Sequence, residues 1–181
     1  KGRTMSRFLM STLLVASLVV SGAYAQDIKA IEARGYTVQE SKGFVFGYAL
    51  AGQTLKGYMS APSTGWLAVG FDPTNRMKDA NFVFGFVQDG KGVIRDDFGT
   101  GSTSHASDES LGGKSDVRLV SFSEADGRTT IEFEVPLASG DRYDRPLSPG
   151  TTYKVLWAFG PDNRDNFTAI HRQRGSFIIR F

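Results

Sequence analysis

Two histidines, four methionines and no cysteine are the residues available to hold a soft or borderline metal. Without thiols, disulfides, zinc–thiolate sites, iron–sulfur clusters and the C-x-x-C-H attachment of covalent haem are excluded. A Ser–His–Asp hydrolase needs a positioned base, and no G-x-S-x-G turn accompanies His105 or His171. Gly113-Lys114-Ser115 has the ending of a phosphate loop, but Asp108 stands where the first glycine is required and a loop precedes it. The carboxylates are scattered over strand faces and turns, which argues against paired-carboxylate glycoside hydrolysis.

Met77 is the residue that its surroundings do not explain. In GFDPTNRMKDANFVFGFV (residues 70–87) it is the lone thioether among Asp72, Pro73, Thr74, Asn75, Arg76, Lys78, Asp79 and Asn81. A flexible, soft side chain in such a turn segment either packs back on the domain or ligates something. His171, in NFTAIHRQRGS (residues 166–176), leads into the C-terminal strand and is either a rim histidine bonded to backbone or a ligand. His105, among Gly101, Ser102, Thr103 and Ser104, reads as a solvated loop histidine, and Met59 as a core residue of a strand. Taken together, one neutral imidazole and one thioether on two loops of an aromatic-rich, cysteine-free domain are a candidate axial pair for non-covalent haem.

The elements that must position such a pair are strands. Phe44–Leu50 and Leu55–Met59 are short runs bounded by glycine and proline, and Gly65–Phe71 and Phe82–Val87 are apolar on both faces, as in a sandwich interior. Asp89-Gly90 and Asp126-Gly127 are hairpin signals, the second joining Val117–Phe122 to Thr129–Val135. Thr151–Phe159 and Ser176–Phe181 complete the set, and only Ile28–Arg34 has room for a helical turn. The expected fold is all-β, an immunoglobulin-like antiparallel β-sandwich of about ten strands. Gly99–Gly113 is read as a long loop, of a length that is often functional or mobile.

Residues 1–25 are expected to be a leader and secretory signal peptide: Arg7, the apolar run FLMSTLLVASLVV, then Ala23-Tyr24-Ala25 as a cleavage pattern. Residues 26–181 would then form one domain, with 18 basic against 19 acidic residues once Lys1, Arg3 and Arg7 are removed. That balance gives no electrostatic case for nucleic acid or an anionic membrane. No later run is long enough to span a bilayer, so the expected product is secreted or periplasmic, without membrane insertion.

Over residues 36–181 the chain resembles a DOMON domain, closest to the haem-b-binding branch that includes the cytochrome domain of cellobiose dehydrogenase and bacterial periplasmic relatives. The matching segments, in order, are Gly65-Trp66-Leu67-Ala68-Val69-Gly70-Phe71, Met77, Asp79-Ala80-Asn81, Asp126-Gly127, Pro136-Leu137, Gly140-Asp141, Asp144, Pro146-Leu147, Gly150, Val155-Leu156-Trp157-Ala158-Phe159-Gly160 and His171 with Arg174-Gly175. The resemblance implies that Met77 and His171 are the axial ligands of haem b. Ile170 departs from a tyrosine often found before that histidine, and Val135 from an arginine often found before Pro-Leu. Tyr58, Phe71 and Phe159 are expected in the pocket wall, with Arg172 or Arg174 pairing a propionate. The function implied is an exported b-type cytochrome, an electron-transfer domain rather than a catalyst, with a redox protein as partner. The alternative is a haem-free module that binds a carbohydrate or an aromatic small molecule.

Overall fold

The computed structural model describes residues 26–181. The expectation of a leader and signal peptide in residues 1–25 lies outside the described residues. A helix, α1, covers residues 26–33, where the sequence left room for a helical turn. Eleven strands follow: β1 (Thr37–Ser41), β2 (Phe44–Ala51), β3 (Thr54–Ala61), β4 (Leu67–Phe71), β5 (Asn81–Gln88), β6 (Lys91–Gly101), β7 (Ser104–Ser107), β8 (Arg118–Ala125), β9 (Arg128–Pro136), β10 (Thr152–Phe159) and β11 (Gln173–Arg180). One helical turn, α2 (Asp108–Leu111), sits between β7 and β8.

The strands form two antiparallel sheets, one of five in the order β1-β2-β3-β9-β8 and one of six in the order β11-β10-β4-β5-β6-β7. This is the sandwich that the period-two runs imply. Successive side chains on a strand point to opposite faces, so residue parity assigns the layers. From the six-stranded sheet, Leu67, Val69, Phe71, Val83, Val155, Trp157 and Phe159 enter the core between the sheets. There they meet Phe44, Phe46, Leu55, Met59, Ile131 and Phe133 of the other sheet. Met59 is fully buried, as expected of a core methionine.

The opposite parity on the six-stranded sheet is also apolar. Trp66, Ala68, Phe82, Phe84 and Phe86 form a second buried cluster on the sheet's outer face, with Ala80. That explains why these strands read as apolar on both faces. One face packs on the other sheet and the second is roofed by loops.

Gly99–Gly113 is not a long loop. β6 runs on to Gly101, the chain turns back as β7, and α2 follows with Ser107 as its N-cap. β7 pairs through Asp97↔Ser107, Phe98↔Ala106 and Gly101↔Ser104 across a bulge. As an edge strand of Ser, His and Ala it needs no apolar alternation, so periodicity had nothing to detect. Among the described residues no helix is long and apolar enough to cross a membrane.

Candidate functional site

The outer face of the six-stranded sheet carries a cavity of about 530 Å³, within the usual range for cofactor and small-molecule sites. Its floor is made by the small residues Ala68 and Ala158, directly paired across β4 and β10. Trp66, Phe82 and Phe84 stand along one side, and Leu156 and Trp157 along the other. Phe84 lies 5.5 Å from Trp66 and 5.7 Å from Phe82, ring centre to ring centre. One loop brings Arg76 and Met77, a second Thr168, Ala169, Ile170 and His171, with Arg174 and Ser176 on β11, and the β6–β7 hairpin adds Ser102, Thr103 and His105.

The Met77 loop is fixed by backbone. Asp72, Arg76 and Asp79 adopt positive φ (53°, 55° and 63°), so the chain coils tightly on itself. Lys78 N donates to Asn75 O at 3.0 Å, and the Thr74 hydroxyl reaches the Asp79 carboxylate. The loop is then laid on β6: Asp79 N donates to Gly99 O at 2.8 Å and Gly99 N to Ala80 O at 2.9 Å. A Cβ on Gly99 would lie 1.8 Å from the Met77 carbonyl oxygen, so the close approach requires glycine there. Met77 itself packs partly buried against the outer-face cluster.

The His171 loop uses side-chain bonds. Asn166 Oδ1 accepts from Thr168 N at 3.1 Å and Ala169 N at 2.8 Å, a local turn that competes with strand pairing. Phe167 is thereby placed 4.9 Å from the Phe86 ring and edge-on to Phe84, with the Arg95 guanidinium 3.8 Å above it. Arg172 N then donates to Phe159 O at 2.8 Å, which resumes sheet pairing, so His171 is the last residue before the chain rejoins the sheet. Burial, and next the charge of Arg174, hold the His171 pKa below its ordinary value. The neutral imidazole is the form that ligates a metal.

The structure brings Met77, His171 and Arg174 to one cavity. It does not bring Tyr58, Phe71 or Phe159. Phe71 and Phe159 have the inward parity and are 1% and 2% exposed in the core between the sheets. Tyr58 lies on the outer face of the other sheet, 6.4 Å from Tyr36 and beside a separate cleft with Ile31 and Arg34. Arg172 is turned away to Asp162, with Nη1 at 3.4 Å. Among the described residues Arg174 and Arg76 form no ion pair, and both are exposed at the rim.

His105 is not a solvated loop residue. Its ring stacks on Phe84 at 4.5 Å and lines the cavity, and its Nδ1 is 2.5 Å from Asp97 Oδ2. The Asp97 side chain is fully buried and is also gripped by Arg95, Nε to Oδ1 at 2.5 Å and Nη2 to Oδ2 at 2.6 Å. Sequence reasoning also passed over Trp66, Phe82, Phe84 and Trp157. The alternation of Trp66 with Leu67, and of Phe82 and Phe84 with Val83, was the available signal. Trp157 belongs to the core and also borders the cavity; its indole lies over Gly175 of the neighbouring strand, where a Cβ would come within 2.5 Å of it. The indole N–H groups of Trp66 and Trp157 are buried without a protein acceptor.

This donor set fits a haem. A thioether and a neutral imidazole come from separate loops into one apolar cavity, with two unpaired guanidinium groups at its rim suited to carboxylates.

The cytochrome b domain of pyranose dehydrogenase from Coprinopsis cinerea has the same fold, with a TM-score of 0.56 and 15% identity over 80% of each chain. The cytochrome domain of Myriococcum thermophilum cellobiose dehydrogenase is similar at a TM-score of 0.57 and 14% identity, over 80% of this chain and 81% of that one. The family model for the DOMON domain matches residues 43–160, which include Met77 and stop short of His171. With that match over well over half of its length, the chain belongs to the DOMON domain family.

Proposed function

We propose that this domain is an exported b-type cytochrome that binds haem b non-covalently through Met77 and His171 and passes electrons to or from a partner protein. The observation that carries the reading is one apolar cavity reached by a thioether and an imidazole from opposite loops. The likeness in fold to cytochrome b domains supports it.

Each residue has a defined task in this reading. His171 would supply the stronger donor, kept neutral by its partial burial and by Arg174. Met77 would be the second protein ligand to the iron, and a thioether ligand favours the reduced metal and raises the potential. Ala68 and Ala158 leave space above the sheet, and Trp66, Phe82 and Phe84 keep water from it. Arg76 and Arg174 would anchor carboxylates at the rim. Haem, when bound, supplies a one-electron couple. Two protein ligands on the iron would favour outer-sphere electron transfer over turnover of a bound substrate.

The test is the spectrum of the purified protein, as isolated and after haem is offered. The reading expects a Soret band with sharp α and β bands on reduction. Met77→Ala should keep haem but turn partly high-spin with a lower potential, and His171→Ala should lose most of the haem. His105→Ala and Met59→Leu should stay low-spin. A protein that remains colourless with haem supports the small-molecule-binding alternative. Loss of the low-spin spectrum in His105→Ala but not in His171→Ala would move the imidazole ligand to His105.

A further inference from the structure

Away from the cavity, three carboxylates converge that no basic residue neutralises. Asp96 of β6, Asp108 at the start of α2 and Asp144 in the β9–β10 connection each place an oxygen within 4.8 Å of the others. Asp108 is fully buried and Asp96 is 1% exposed. Both oxygens of Asp108 and Oδ1 of Asp96 have no hydrogen-bond partner. Among the described residues none of the three makes an ion pair. Asn81, 7% exposed at the start of β5, directs its amide onto the group: Nδ2 donates to Asp144 Oδ1 at 2.6 Å, and its Oδ1 is buried without a donor.

We propose that Asp96, Asp108 and Asp144 bind one calcium ion. Buried polar groups are normally paired, and buried charges are paired or coordinate a metal. Here the unpaired carboxylate atoms are Oδ1 of Asp96 and both oxygens of Asp108, in a cluster whose ligand oxygens lie within 4.8 Å of one another. Hard oxygen donors select calcium, magnesium or manganese over zinc or copper. Several carboxylates in an all-protein cage favour calcium, since magnesium dehydrates reluctantly and keeps its waters. Burial, and next the neighbouring carboxylates, push Asp96 up to about 7 and Asp108 up to about 8. The ligands come from β6, α2 and the β9–β10 connection, the last held to β5 by the Asn81 amide. A bound ion would therefore clamp α2 and that connection to the sheet, next to the Asp97–His105 pair.

The experiment uses the purified full chain stripped with EDTA. Calorimetric titration with calcium chloride should show one ion bound per chain, more tightly than magnesium. At a concentration about a hundredfold above Kd, the midpoint of thermal unfolding should rise by about 5–10 °C. Asp108→Asn should weaken calcium binding at least tenfold and lose the thermal shift. It should also melt higher than the native chain in EDTA, because one of three repelling carboxylates is gone. If that variant does not fold, Asp144→Asn is read in the same way. Unfolding curves that coincide in calcium and EDTA, with no heat of binding at millimolar calcium, would overturn the site and leave the carboxyls as protonated acids. Equal affinity for magnesium would overturn the choice of calcium. The readout needs no haem, so it is independent of the cytochrome reading.

Discussion

Replacing Gly99 by alanine should lift the Met77 loop off the sheet while the sandwich stays folded. The added Cβ would sit 1.8 Å from the Met77 carbonyl oxygen, 2.8 Å from its carbon and 3.1 Å from Ala80 N. These are backbone atoms, so no rotamer change relieves the clash, and the carbonyl must retreat from 1.8 Å to beyond 3.0 Å. Such a move breaks the two short bonds between Gly99 and residues 79 and 80, and the longer one from Met77 N to Ser102 O at 3.4 Å. At about 1 kcal/mol each the loss is about 2–3 kcal/mol. Alanine returns about 0.5 kcal/mol by restricting the unfolded chain, since the backbone at this position is not left-handed.

The net cost, about 2 kcal/mol, corresponds to a midpoint about 4–8 °C lower for a domain of this size. Differential scanning calorimetry measures it. The functional readout is separate. In haem-loaded protein the variant should resemble Met77→Ala, with partial high-spin character and retained haem, because the His171 loop does not touch Gly99. A variant that melts within about 1 °C of the native chain and keeps an unchanged low-spin spectrum would refute the claim that Gly99 positions Met77.

Two further outcomes follow from buried charge. Arg95→Met removes the bidentate partner of a fully buried carboxylate and should cost about 3 kcal/mol, the low end for a broken buried pair since Arg95 is itself partly exposed; urea unfolding with an unchanged m-value would measure it. In EDTA the protein should lose stability as pH rises. The carboxyls of Asp96 and Asp108 titrate near 7 and 8 in the folded chain, above their unfolded values. Their contribution is therefore complete below about pH 4 and lost through pH 7–8; thermal melts at pH 5 and pH 9 check the sign.

Much of the sandwich is legible because strand parity and turn chemistry are local. Asp89-Gly90 and Asp126-Gly127 mark hairpins, and both residues of each pair do take positive φ. Met77 and His171 could be singled out by chemistry, as side chains unsuited to their segments. The pocket wall was not legible from aromatic character alone. Phe71 and Phe159 are as aromatic as Phe82 and Phe84, and only the register of β4 against β5 and β10 shows that they face the other sheet. His105 was missed because its strand is held by a buried aspartate eight residues earlier, not by its own hydrophobic pattern. Asp96, Asp108 and Asp144 converge through tertiary structure, Asp144 lying 63 residues from its amide partner Asn81. No local signal records that.

The outer face of the six-stranded sheet also explains why a sandwich would carry a site there. Strand positions facing a protein core are filled with bulk, as Val69 and Trp157 are one residue along from the cavity floor. On the outer face the same two strands carry Ala68 and Ala158 as direct partners, so bulk is withheld where the rings of Trp66 and Phe84 could otherwise have met it. Such a surface is stabilised by whatever covers it, at about 25 cal/mol for each Å² of apolar area removed from water. A broad, planar, largely apolar ligand with an anionic edge would meet every part of it: alanines beneath, aromatic rings at the sides, Arg76 and Arg174 at the rim. The alanine floor and the phenyl rings offer a sugar's hydroxyls no side-chain partner; such partners come only from Ser102, Thr103, Thr168 and Ser176, the two histidines and the two arginines. The chemistry of the wall and the choice of Met77 and His171 therefore favour the same class of ligand for separate reasons.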